Sequence, residues 1–224
     1  MEEQNVLKYT EDEFNELTSY IEKSFGGKIT NIYHEKVSEH VHIDIVEVGP
    51  SKGADYYKLV SVGAGAYEMN IPWQLKGCHL ERAEVVMLLP KENKISLDDP
   101  ESIWPIIKMK EIIRTPIRED SWLGYGHTFG DGIPLTKNTD MKWIGLVTAC
   151  DKDCQQMECV IGDKIINFYQ MLPMYDEELK YKRKHTMDNL IMILDEKDFH
   201  IMMDPKRKNA SKNRFRNLNR DFLN

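Results

Sequence analysis

The sequence predicts an α+β fold: a mixed, largely antiparallel sheet covered by helices, in one domain. Three observations carry that prediction. Short segments with period-two or continuous apolar patterning recur along the chain, residues 41–48 (VHIDIVEV) being the clearest. Stretches of helical period fall among them irregularly, not in strict alternation. A Gly162-Asp163 link between residues 158–161 and 164–170 marks a tight hairpin and therefore an antiparallel pair.

Each element has its own local cause. Thr10 and Glu13 form a capping box, since the hydroxyl can accept from the third helical N–H while the carboxylate reaches back. Phe14, Leu17, Ile21 and Phe25 then line one face, and Gly26-Gly27 ends the helix expected over residues 11–25. Strands are expected at residues 41–48, 56–62 and 82–89. Between the last two, Gly63 and Gly65 permit close backbone approach; without G-x-x-x-x-G-K-[ST] or a following helix they are a turn, not a phosphate loop. A helix begins at Trp104-Pro105, with proline in its first turn, carries Ile106, Met109 and Ile113 along one face with Ile112 beside it, and ends at Pro116. Residues 118–132 form a loop rich in glycine and aromatic side chains. After a strand at 143–149 and the hairpin, Pro173 stops the second hairpin strand, and Asp176-Glu177-Glu178 opens a helix where the macrodipole favours acids. Met187, Leu190, Ile191 and Leu194 mark its continuation or a second helix. From residue 201 to 224 the pattern gives way to a basic tail of low hydrophobicity, expected to be flexible.

Bulk properties narrow the function. A chain of 224 residues with 41% hydrophobic and 30% charged side chains has ordinary globular composition. Its apolar runs fall short of the ~20 residues that span a bilayer. The acidic opening MEEQNVLKYTEDEF has no apolar signal core, so a cytoplasmic protein is expected. The net charge is −7, yet residues 205–224 hold seven bases and one acid, a contribution of +6 that leaves −13 for residues 1–204. Such a body repels nucleic acid and attracts basic proteins.

Several motifs, in order, resemble the suppressor of fused domain family in its bacterial single-domain form. They are VHIDIVEV, GAYEM followed by Pro72, RAEVVMLLP, the Trp104-Pro105 helix start, SWLGYGHTFG and INFYQMLPMYDEEL, from about residue 40 to 194. The resemblance implies a suppressor-of-fused-like domain over residues 1–200, a protein-binding role and no catalysis. It further implies an immunity protein that neutralises a cognate toxin, or else an adaptor that sequesters an endogenous protein. Around Thr115, Gly126 and His127 the side chains differ from those on which the animal protein's peptide docks.

Two clusters and one histidine carry side chains capable of chemistry. His40, His42 and Asp44 share a strand face, and Cys150, Cys154 and Cys159 are close in sequence. Neither spacing matches a zinc knuckle, so no metal and no cofactor are expected. His127, beside Gly126, Thr128 and Asp131, is the best place for a general base, the centre of a hydrolase reading. No G-x-S-x-G, H-E-x-x-H or Cys-His signal accompanies it, and a structural hydrogen bond is the preferred role. For partner binding, the candidates are Glu119, Asp120, Trp122, Tyr125 and His127. Tyr125 is the expected surface aromatic, and Trp104 and Trp122 are expected to plug the core. Phe215 and Phe222, interleaved with Arg and Lys, would allow weak salt-sensitive contacts of the tail with RNA or an anionic surface.

Overall fold

The computed structural model describes residues 6–99, 101–196 and 201–211. Helix α1 (Glu11–Phe25) begins as its sequence requires: the Thr10 hydroxyl accepts from the Glu13 N–H at 3.2 Å, and the Glu13 carboxylate accepts from the Thr10 N–H at 2.9 Å. Gly26 closes it in the left-handed conformation, φ 61°. The strands are β1 (Ile29–Tyr33), β2 (Asp44–Val48), β3 (Tyr56–Val62), β4 (Ala83–Pro90), β5 (Thr128–Phe129), β6 (Trp143–Thr148), β7 (Glu158–Ile161) and β8 (Lys164–Met174). They make one eight-stranded sheet in the order β1-β2-β3-β4-β8-β6-β5, with β7 also paired to β8. The β4–β8 pair is parallel and the other strand pairs are antiparallel. Gly162, φ 58°, turns the β7–β8 hairpin, where Ile161 faces Lys164.

Alternation along the strands sends side chains to two cores. On one face Ile45, Leu59, Val85, Met87, Ile144, Leu146 and Met171 pack beneath α2 (Trp104–Ile113), which contributes Met109, Ile112 and Ile113. The short helix α3 (Thr115–Glu119) follows it. On the other face Val46, Val60, Val86 and Phe168 meet Leu17 and Ile21 of α1. Further along that face Val147, Leu172 and Met174 meet α4 (Asp176–Lys184) and α5 (Met187–Glu196). Adjacent β8 residues diverge accordingly: Met171 faces the first core and Leu172 the second. A sheet buried on both faces explains why its central strands read as nearly continuous apolar runs.

Three expectations need correction. Pro173 does not stop β8, which runs to Met174 with Pro173 opposite Ile144. Pairing with β4 ends at Gln170, so on that side no ladder needs the N–H that proline lacks. Pro116 does not end α2, which stops at Ile113 with Arg114 as its cap; it lies in the first turn of α3, two residues beyond that cap. The flexible tail expected from residue 201 is overturned for residues 201–211. Met203, Arg207, Ala210 and Ser211 are buried, and the Met203 N–H donates to the Leu88 carbonyl at 2.8 Å. The remaining tail positions, including Phe215 and Phe222, lie outside the described residues.

Candidate partner-binding surface

Residues 118–132 are held from three sides. Asp120 ends α3 with φ 45° and ψ 53°, a left-handed cap that turns the chain back over the sheet. Leu123 is buried, and its N–H points at the Met69 sulfur, 3.3 Å away. The Trp122 ring folds over Gly124, where a Cβ would stand only 2.1 Å from the indole; the pattern Trp-Leu-Gly is therefore a packing requirement. Gly126, φ 82°, lets the loop join β6: its N–H donates to the Leu146 carbonyl at 2.8 Å, and the Leu146 N–H donates to the His127 carbonyl at 2.9 Å.

The helices behind the loop complete the clamp. Lys182 of α4 donates to the Gly126 carbonyl and, at 2.7 Å, to the Thr128 hydroxyl. Burial lowers the Lys182 ammonium below its ordinary range. Tyr125 donates to the carboxylate of Asp188 on α5, and burial together with that carboxylate raises the phenol's pKa. Tyr125 as a whole remains 41% exposed. His127 stands edge-on to Trp122, ring centroids 4.4 Å apart. Burial lowers its pKa; a hydrogen bond with the Trp122 backbone opposes that, and the charge of Lys182 adds to it. Those contacts make His127 a brace of the loop.

The five candidates thus divide. Trp122 and His127 are part-buried supports, while Glu119, Asp120 and Tyr125 are exposed. Even the two acids face different recesses. Glu119 borders a groove of about 350 Å³ with Lys108, Arg118, Phe129 and Asp131. Asp120 borders a recess of about 290 Å³ with Tyr67, Glu68, Lys76 and Glu81. Sequence reading missed the supporting Lys182 and Asp188. They lie 54 and 63 residues from their loop partners, and nothing local marks them.

The histidine cluster resolves differently from the expected strand face. Asp44 accepts from the His34 ring at 2.9 Å and lies 3.1 Å from the His42 ring, while the His40 backbone carbonyl accepts from the Leu7 N–H. Ser38 bridges His42 to Glu35, which Lys110 and Arg114 of α2 also engage. Burial pushes the Glu35 carboxyl up, but the hydrogen bonds of Lys110, Ser38 and Arg114 prevail and hold it at about 2. The network ties the β1–β2 connection to α2. Among the described residues no group of three His, Cys, Asp or Glu side chains is placed to hold a metal ion. No helix among them is long and apolar enough to cross a membrane.

One sheet is covered by helices on both faces, and a braced loop at its edge exposes Glu119, Asp120 and Tyr125. The chain belongs to the suppressor of fused protein (SUFU) family, whose family model matches residues 39–208. That match extends beyond the expected 40–194 and takes in the packed segment around Arg207. An uncharacterized protein of Ureaplasma parvum serovar 3 is 24% identical over 214 residues, covering 92% of this chain and 98% of its own. Among solved structures, a suppressor of fused homologue from Neisseria gonorrhoeae FA 1090 superposes with a TM-score of 0.66 at 14% identity, covering 90% of this chain and 98% of that one. The Sufu–Fu complex gives 0.62 at 13% identity, with 94% and 96% covered. Drosophila Suppressor of Fused gives 0.53 at 16% identity; 81% of this chain matches 46% of that chain. These likenesses establish the shared fold, and family membership fits a protein-binding module.

Proposed function

We propose that this protein is a non-catalytic, cytoplasmic immunity protein that neutralises a basic cognate toxin by covering the toxin's active surface at one-to-one stoichiometry. The observation that carries the reading is the clamped loop. Glu119, Asp120 and Tyr125 are exposed on a segment already fixed by Leu146, Lys182 and Asp188, so little ordering entropy remains to be lost on binding. The −13 of residues 1–204 would steer a basic partner towards it. An exposed tyrosine between acids has the amphipathic character of an interface anchor.

The test is co-expression with the toxin encoded beside this gene. Wild-type protein rescues growth, and purified protein blocks the toxin only as it approaches equimolar amounts. Glu119→Lys combined with Tyr125→Ala weakens the complex at least ~10-fold, the cost of one anchor, while the melting temperature stays within a few degrees. Protection far below equimolar amounts, or full protection by the double variant, defeats the proposal. The Sufu–Fu complex favours a second reading, an adaptor that sequesters an endogenous protein. A solitary gene, and capture of a host regulator in a pull-down analysed by mass spectrometry, would select it.

A further inference from the structure

We propose that the cleft between the end of β4, the start of α2 and residues 135–138 binds an uncharged sugar. Its volume, about 430 Å³, falls in the range of small-ligand pockets. Leu89, Pro105 and Leu135 form the apolar part of its wall. Trp104 stands half-buried beside them, packed against the first core and bordering the cleft. Pro205, from the packed C-terminal segment, completes the wall.

Polar groups around that wall are left open to a ligand. Among the described residues, nothing hydrogen-bonds to the side-chain amides of Asn93 and Asn138 or to the Trp104 indole N–H. The backbone behind them is nonetheless fixed. The Ser102 hydroxyl donates to the Ser96 carbonyl at 2.7 Å and accepts from the Ser96 N–H at 2.8 Å. Across the cleft, the Leu135 N–H donates to the Met141 carbonyl at 2.8 Å, and the Asn138 N–H donates to the Thr136 hydroxyl at 3.1 Å. A ligand thus meets walls that are ordered before it arrives, which lowers the entropy lost on binding.

The chemistry of the lining selects the ligand class. Three carboxylates (Glu92, Asp99, Glu101) and two ammonium groups (Lys94, Lys137) border the cleft, a balance of −1. Lys137 is moreover paired with Glu101, so a phosphate or a free carboxylate gains no net attraction. An alkyl chain would cover the apolar wall and leave both amides without a partner. A pyranose ring offers an apolar C–H face to the indole and a rim of hydroxyls that donate and accept. An amide does both as well, so each asparagine can engage a pair of neighbouring hydroxyls. None of Glu119, Asp120 and Tyr125 borders the cleft, so this site and the toxin-facing loop stand or fall separately.

The test is NMR of the tryptophan indole N–H signals of the full-length protein, titrated separately with maltose, N-acetylglucosamine and adenosine. Trp104→Phe identifies the Trp104 signal by its loss. At least one of the two sugars should move that signal saturably, with half-saturation at about 1 mM, as suits a small ligand in an open cleft. The Trp143 signal, whose indole is held by Asp176, should stay in place. Asn93→Ala and Asn138→Ala should each weaken binding about 5-fold, the worth of one hydrogen bond, with the melting temperature unchanged. The proposal is overturned if neither sugar moves the Trp104 signal, or if both asparagine variants bind as the wild type does. Binding of adenosine with both sugars inert would also overturn it and make the cleft a nucleoside site.

Discussion

Glu84 and Glu178 are both fully buried, and each fastens one end of the described chain, but by opposite electrostatic means. At Glu84 the donors are neutral. Tyr9 from the N-terminal segment and the Gly63 and Gly65 N–H groups converge on Oε1 at 3.1, 2.9 and 3.0 Å, and the Ser61 hydroxyl reaches Oε2 at 2.5 Å. At Glu178 the donor is a cation. Arg207 from the C-terminal segment grips both oxygens at 2.7 Å, and the Ala210 and Tyr175 N–H groups add bonds at 2.8 and 3.0 Å. A buried carboxylate needs its negative charge balanced or removed. Glu178 has it balanced by a guanidinium. Glu84 has dipoles alone, and burial outweighs them, pushing its pKa up to about 7. The two latches therefore differ in what breaks them: one depends on a charge partner, the other on pH.

The largest effect is expected at the charged latch. Arg207→Ala leaves Glu178 buried without its counter-ion and should cost about 3–5 kcal/mol, lowering the melting temperature by roughly 10 °C or more for a chain of this size. Urea denaturation checks the first figure and calorimetry the second. Arg207→Met with Glu178→Leu should recover part of the loss, because removing both charges removes the unpaired-charge penalty. A single Arg207 variant as stable as wild type would mean that the C-terminal segment contributes nothing to the fold.

The next effect belongs to Glu84, and its sign follows from linkage. A carboxyl whose folded pKa exceeds its unfolded value contributes stability that is complete below the unfolded pKa and is lost as pH rises through the folded one. With an ordinary value of 4.5 and a folded value of about 7, the loss falls between those two pH values and amounts to about 3 kcal/mol. Glu84→Gln should flatten that slope. Its amide oxygen can take the three Oε1 donors, and its NH₂ can donate to Ser61 Oγ as the protonated acid would. Glu35 supplies an internal contrast: held at about 2 by Lys110, Ser38 and Arg114, its contribution is present above 4.5 and is lost as pH falls through 2. Denaturation midpoints measured from about pH 2 to pH 8 cover both windows and separate the two groups. An unchanged slope in Glu84→Gln would assign the pH dependence elsewhere.

Neither latch was legible in the sequence, although most of the fold was. The capping box of Thr10 and Glu13, the Gly162 hairpin and the Trp104-Pro105 helix start are local devices, and each stands where its residues predict. The missed strand β1 has the sequence ITNIY, whose two middle residues are exposed and whose pairing with β2 carries an irregularity, so its alternation is broken. The missed β5 is only two residues long. Glu84 within RAEVVMLLP resembles an acid on a solvated strand face; its partner Tyr9 is 75 residues away. Glu178 satisfies every rule for a helix N-terminal acid, and it also fills the N3 site of a capping box. Arg207 is surrounded by Lys and Asn in a stretch with the composition of disorder, and only the packed structure separates it from its exposed neighbours. The candidate loop shows the same limit: its glycines and aromatics were readable, but Lys182 and Asp188, which fix it, were not.

The smallest effect sharpens the comparison most. Tyr9→Phe removes one neutral donor from Glu84 and leaves Ser61, Gly63 and Gly65 in place, so the loss should be about 1 kcal/mol, that of a single hydrogen bond. It should also raise the pKa of Glu84 further, because one bond favouring the ionised form is gone. The pH at which stability levels off should then move upward. At Glu178 the bidentate guanidinium, not a neutral donor, supplies the main hydrogen bonds. The decisive measurement is native-state hydrogen exchange at the Leu7 and His42 amides, which are hydrogen-bonded between the N-terminal segment and the chain around His40 and His42. Faster exchange there in Tyr9→Phe, with the residue 203–211 amides unchanged, would show two independent latches. Coupled loosening of both ends would show that the buried glutamates share one cooperative unit.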